Sequence, residues 1–120
     1  MAKYSSKIIT DENNFAKLLL LLPKKYKINL IYRGSEDGFT AAVFHQKCDQ
    51  KGPTLIIIKS EYGKIFGGFT DIDWNSPDYC FRISGNGNSF VFSLRDYSNF
   101  VKLKCLKKEF EVYHNEDYLC

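Results

Sequence analysis

Apolar residues recur every three or four positions as far as Cys48 and every second position after Pro53, so this chain encodes helices first and strands afterwards. The segment Lys51-Gly52-Pro53 marks the change, because proline has no N–H to give a helix and its ring clashes with the preceding turn. Helices followed by a run of strands predict an α+β domain with an antiparallel sheet. The length of 120 residues suits one core, hence a single domain over 1–120. With 44% apolar and 16% aromatic residues against 26% charged, the composition excludes a disordered chain.

Thr10-Asp11-Glu12 ahead of Phe15, Leu18, Leu19 and Leu22 is a capping residue followed by an i, i+3, i+4, i+7 stripe, which predicts a helix from about Asp11 to before Pro23. Lys24, Lys25 and Lys27 follow at its negative end, where positive charge is mildly favourable. Ile28–Tyr32 reads as a short strand closed by the turn cluster Arg33–Gly38. A second helix is predicted beyond it, with Phe39, Ala42 and Val43 facing the core, Phe44 widening the stripe and Cys48-Asp49 at its end.

After Pro53 the β-branched run Thr54–Lys59 is apolar on both faces, as a central strand covered on both sides would be. Ile65–Thr70 is the next predicted strand, reached through a turn at Glu61–Lys64. Inside it Gly67-Gly68 predicts a bulge or a close backbone approach, with Phe66 and Phe69 wrapping onto the core. The alternating segments Tyr79–Ile83 and Phe90–Leu94, separated by Gly85-Asn86-Gly87-Asn88, read as a β-hairpin. A final strand pair is predicted from Val101, Leu103 and Cys105, sharing an inward face, and from Phe110 and Val112. The expected core of this half is Leu55, Ile57, Phe66, Phe69, Phe81, Phe90 and Phe92.

No phosphate loop, nucleophile elbow, zincin helix or CxxC pair is present, so those chemistries lack their residues. His45 and Cys48 stand three apart on the second helix, short of the three or four ligands a metal site needs, so no metal or other cofactor is expected. The four cysteines, Cys48, Cys80, Cys105 and Cys120, are widely spaced and are expected to be free thiols. A thiol-dependent antioxidant enzyme would need one of them activated by positive charge or a helix N-terminus, and Cys48 lies at a helix C-terminal end. Residues 1–60 carry ten basic and five acidic side chains and residues 61–120 seven and nine. A nucleic-acid module using the basic half with Tyr26, Tyr32 and Arg33 is therefore the weakest alternative, since those lysines sit at helix ends and turns. The longest apolar run, Leu18–Leu22, is too short to cross a membrane, and Met1–Asn14 lacks a signal-peptide pattern, so a cytoplasmic protein without a transmembrane segment is expected.

Several segments, in order, resemble the TLDc domain family. They are Leu30-Ile31-Tyr32 with Gly38-Phe39; Cys48 with Lys51-Gly52-Pro53-Thr54-Leu55; Phe66-Gly67-Gly68-Phe69 with Trp74; and Gly87-Asn88-Ser89-Phe90-Val91-Phe92-Ser93-Leu94. The resemblance runs from near Ile8 to the chain end and implies a two-sheet antiparallel β-sandwich with flanking helices. Two departures accompany it: Asn86 or Asn88 stands where the family often has an acidic residue, and the chain ends before the family's last strands, so an incomplete sandwich is expected.

The resemblance further implies a non-enzymatic protein-interaction module that binds and regulates the vacuolar-type proton pump, the V-ATPase, with a link to oxidative-stress resistance and a place at organelle membranes through that partner. Recognition on a rigid scaffold is commonly carried by loops. The partner-contact candidates are accordingly Arg33, Ser35, Glu36 and Asp37 in one turn and Asp71, Asp73 and Trp74 in another. Gly52, Pro53, Thr54, Phe66, Gly67, Gly68, Phe69, Ser89, Phe90 and Phe92 are the motif residues expected to be structural.

Overall fold

The computed structural model describes residues 6–75, 81–83, 87–95, 99–104 and 112–114, those of 81–83 and 112–114 by backbone alone. The first helix, α1 (Glu12–Leu19), starts where the cap predicts: the Asp11 carboxylate accepts from Asn14 N at 3.0 Å. Its apolar stripe turns inward, with Phe15, Leu18 and Leu22 buried. Leu21 N and Leu22 N donate three residues back, tightening the chain before Pro23.

The strand predicted over Ile28–Tyr32 is not formed: the segment pairs with no strand among the described residues. It is a connector with Ile28 against one cluster, Tyr32 against another and Leu30 and Ile31 exposed. The turn after it is a single helical turn, α2 (Gly34–Asp37). Next comes α3 (Ala41–Cys48), capped by Thr40 Oγ1 on Val43 N. Its inward face differs from the predicted one. Phe44, His45 and Cys48 are buried, whereas Phe39 lies outside the helix, 82% exposed, and Ala42 faces solvent. The Thr40 cap explains the difference, because starting the helix at Ala41 excludes Phe39 from its periodicity.

Gly52 then turns the chain with φ of 76°, a left-handed conformation that a side chain would strain. The strands that follow are β1 (Thr54–Lys59), β2 (Ile65–Thr70), β3 (Phe81–Ile83), β4 (Phe90–Arg95), β5 (Asn99–Lys104) and β6 (Val112–His114). Four of them form an antiparallel sheet in the order β1-β2-β4-β5, and β3 with β6 makes a separate two-stranded sheet. The architecture is thus α+β, with two antiparallel sheets whose membership departs from the predicted one.

The predicted hairpin is not formed. Both edges of β4 are taken, by β2 and β5, so β3 has no place beside it and pairs with β6 instead. β5, the edge strand beyond β4, does not pair with the last strand either, because β6 is taken by β3. β1 is an edge strand and not a central one; its two faces are covered by side chains from elsewhere, Leu55 and Ile57 packing against one core and Ile56 against another. On β5 the inward face is also reversed, since Phe100 and Lys102 stand beside Leu94 and Phe92 while Leu103 is exposed.

The first core joins Ile9, Phe15, Leu18 and Leu22 to Phe69, Phe90 and Phe92 on the sheet. Phe69 and Phe90 stack with centroids 5.6 Å apart. Phe66, expected in this core, is three residues from Phe69 on β2 and so lies on the opposite face of the sheet, 40% exposed. No bulge interrupts β2, whose register runs unbroken through Gly67 and Gly68. The close approach is present instead: a Cβ on Gly67 would fall on the Ile56 carbonyl oxygen and lie 2.9 Å from the Phe92 ring. The side chain of Phe81 and the residues Tyr79, Cys80, Gly85, Asn86, Cys105 and Phe110 lie outside the described part.

Candidate interaction surface

The two predicted contact loops are attached to one aromatic cluster. Phe44 of α3 is at its centre, edge-on to Tyr32 at 5.5 Å and to Trp74 at 5.5 Å. Tyr32 begins the first loop and Trp74 ends the second, with Cys48 and Ile56 packed alongside. Trp74 is therefore core and not a surface contact: it is 7% exposed and its indole N–H donates to Thr54 Oγ1 at 2.8 Å. Burial suits an indole whose N–H has found an acceptor.

The first loop is held by its own polar groups. Arg33 N donates to Asp37 Oδ2 at 2.8 Å, and the Tyr32 hydroxyl donates to the Gly38 carbonyl at 2.6 Å. Glu36 accepts from Lys7 Nζ at 2.6 Å and from Arg33 Nη1 at 3.1 Å, and these hydrogen bonds hold its carboxyl below the usual carboxylate range. Lys47 Nζ of α3 stands 3.6 Å from Asp37. Ser35 and Glu36 are exposed, and Arg33 and Asp37 half-buried.

The second loop is anchored at each carboxylate. Asp73 Oδ1 accepts from Gly52 N at 2.7 Å, which ties the loop to the start of β1. Asp71 Oδ2 accepts from Asn88 Nδ2 at 3.0 Å, which ties it to the residues leading into β4. Beneath them Thr70 and the buried Ser89 share a hydroxyl hydrogen bond of 2.9 Å, and Ile72 N donates to Thr70 Oγ1. The Ser89 motif residue thus supports the loop from below.

Asp71 and Asn88 also line an open cleft of about 420 Å³ with Pro23, Lys24, Tyr26 and Pro53. Sequence reasoning left Pro23, Lys24 and Tyr26 out of the site, although the position of Pro53 beside the motif Gly52 was a signal that the start of β1 approaches other elements. Lys24 Nζ lies 5.2 Å from the centre of the Tyr26 ring, which also packs on Phe69 with centroids 5.7 Å apart. Tyr26 and Tyr32 are both half-buried in packing, which leaves neither ring as an open platform for a base.

Cys48 is buried, and burial followed by the nearby Asp49 and Asp37 charges pushes its thiol up to about 11. A thiol so raised is almost entirely protonated at neutral pH and is a poor nucleophile. His45 Nδ1 is 2.7 Å from Asp49 Oδ1, while its Nε2 is buried with no hydrogen-bond partner. Among the described residues no group of three His, Cys, Asp or Glu side chains is placed to hold a metal ion. Among the same residues no helix is long and apolar enough to cross a membrane.

The fold and loops define a small α+β domain of helices and antiparallel strands that presents two polar loops on a common aromatic anchor. The family model of the TLDc domain matches residues 3–120, and the chain belongs to that family. TBC1 domain family member 24 of Xenopus tropicalis is 30% identical over 84 residues, which cover 62% of this chain and 14% of the relative. MTOR-associated protein MEAK7 of Danio rerio is 34% identical over 50 residues, covering 42% of this chain and 10% of the relative. TBC1 domain family member 24 of Xenopus laevis is 26% identical over 80 residues. The chain spans only about a tenth to a seventh of the length of these relatives.

Proposed function

We propose that the chain is a non-catalytic protein-interaction module of the TLDc type, whose partner is the V-ATPase and whose role is regulation of that pump in oxidative-stress resistance, on the cytoplasmic side of organelle membranes. Membership of the TLDc family carries the reading. The name of the relative MEAK7 describes it as associated with another protein, in keeping with a module that works by binding. The contacts would come from Arg33, Ser35, Glu36 and Asp37 and from Asp71 and Asp73, which rigid anchoring presents without a large ordering cost.

The test is capture of purified V-ATPase subunits by the purified chain, beside a variant carrying Ser35→Arg and Glu36→Arg. Capture by the parent chain, weakened in the variant by about tenfold or more, is expected for loss of a loop contact of about 1.4 kcal/mol. If no pump subunit is captured while the chain consumes peroxide at a rate that one Cys→Ser change removes, a thiol-dependent enzyme replaces the interaction module. The high thiol pKa argues against Cys48 in that role.

A further inference from the structure

Residues 13–32 hold four lysines, Lys17, Lys24, Lys25 and Lys27, and no acidic residue, in a chain whose whole surplus is +3. The fold lays this stretch along the rim of the first core, with Leu21, Leu22, Tyr26 and Ile28 turned inward onto it. The side chains between them are left on the outer side. There Leu20 is 83% exposed and Leu30 53%, and Lys24, Lys25 and Lys27 are exposed with them. Lys102 of β5 reaches the same turn through the Leu21 carbonyl, and the exposed Lys104 stands two residues further on, on the same face of the strand.

Other surface cations are engaged within the fold, Lys7 and Arg33 by Glu36 and Lys47 by Asp37. Lys24, Lys25 and Lys27 make no salt bridge among the described residues. Asp71, which lines the cleft with Lys24, is half-buried and held by Asn88, and Asp11 and Glu12 stand at the opposite end of α1. A patch of one sign with exposed leucines discriminates among anionic partners. Single-stranded nucleic acid stacks its bases on open rings, whereas Tyr26 is packed on Phe69. Protein interfaces favour arginine and aromatic residues and are depleted in lysine, the one cation this patch offers. Anionic lipid headgroups take compact ammonium charges without a fixed geometry. The acyl boundary beneath them takes aliphatic side chains such as Leu20 and Leu30, which gain nothing from phosphate.

We propose that this face docks the domain directly on an anionic phospholipid surface, with Lys24, Lys25 and Lys27 at the headgroups and Leu20 and Leu30 entering the acyl boundary. The proposal stands apart from the pump, because its test contains no other protein. The full chain is sedimented with vesicles of phosphatidylcholine alone and of phosphatidylcholine with about one quarter phosphatidylserine, at low and physiological salt. Binding to the anionic vesicles only, weakening as salt rises, is expected. Lys25→Gln with Lys27→Gln should weaken it about twenty-five-fold, at about fivefold for each lysine. Lys59→Gln with Lys64→Gln removes the same charge at the other end of β1 and should change it less than about threefold. Leu20→Gln with Leu30→Gln keeps the charge and should weaken binding at least about tenfold. All six positions are exposed, so an unchanged amide spectrum shows that each variant is folded. Lipids with a nitroxide on the acyl chain should broaden the amide signals of residues 20–31 and spare Tyr62, which is exposed in the turn between β1 and β2. Absence of binding to anionic vesicles at low salt, equal binding to neutral ones, or broadening centred elsewhere overturns the proposal. So does a loss that follows net charge wherever it is removed. A leucine pair replaced without effect, or tighter binding of a DNA duplex at the same salt, leaves a binder of phosphate charge alone and overturns the docking too.

Discussion

Gly67 and Gly68 are adjacent in sequence and stand in unequal surroundings. A Cβ at Gly67 would collide with the Ile56 carbonyl, which the β1–β2 ladder holds in place, whereas one at Gly68 would meet the Phe90 carbonyl oxygen at 3.2 Å. Gly67→Ala should therefore cost about 3 kcal/mol or more, and Gly68→Ala about 1 kcal/mol, in urea titrations. Equal losses at the two positions would contradict the packing described. Cys48 supplies a second test at this scale. Its thiol is raised from 9.0 to about 11 in the folded chain, so the unfolded chain loses that proton first as pH rises. The thiol's contribution is intact below about pH 9 and is lost between 9 and 11. The stability gap between the parent chain and Cys48→Ala should accordingly narrow across that window, and a constant gap would mean the thiol is not so perturbed.

The helix α1 is secured at both ends by different means. Asp11 caps its start, and Asp11→Ala should cost about 1 kcal/mol by thermal or urea unfolding. Near its far end Lys102 of β5 donates to the Leu21 carbonyl at 2.7 Å and lies 4.1 Å over the Phe90 ring. Burial, and then the Lys104 charge, lower the Lys102 pKa. A lysine on the core face of a strand is legible only as an interruption of the alternation Phe100, Lys102, Lys104; its use as a latch on a helix 81 residues earlier in the chain is not. Similarly, the Asp11 cap and the Phe15–Leu22 stripe were readable because helix caps and periods are local, while the inward face of α3 depended on where Thr40 started the helix.

In the whole molecule the sheet separates two clusters, because Leu55 and Ile57 turn to one side of β1 and Ile56 to the other. The second cluster is small, and both polar loops rest on it through Phe44. Phe44→Ala should cost about 3–5 kcal/mol. Amide exchange should also accelerate together in residues 33–38 and 71–75, since each loop loses the ring it packs on. Acceleration in one loop alone would show that the two are anchored separately.

Local rules determined the helix-to-strand order, the α1 cap, the β1 and β2 ranges and the burial of Phe69, Phe90 and Phe92, all of which follow from the spacing of apolar residues and the chemistry of Asp11 and Pro53. The motif glycine at 67 also announced a close backbone approach. Only the tertiary structure decided which strands lie side by side, because alternation specifies the face of a strand and is silent on its neighbour. Thus β3 met β6 and β4 met β5, and β1, apolar on both faces, ended at an edge. The same holds for Trp74, which a polar loop sequence offers to solvent and which Phe44 and Thr54, distant in the chain, draw into the core by ring contact and a hydrogen bond.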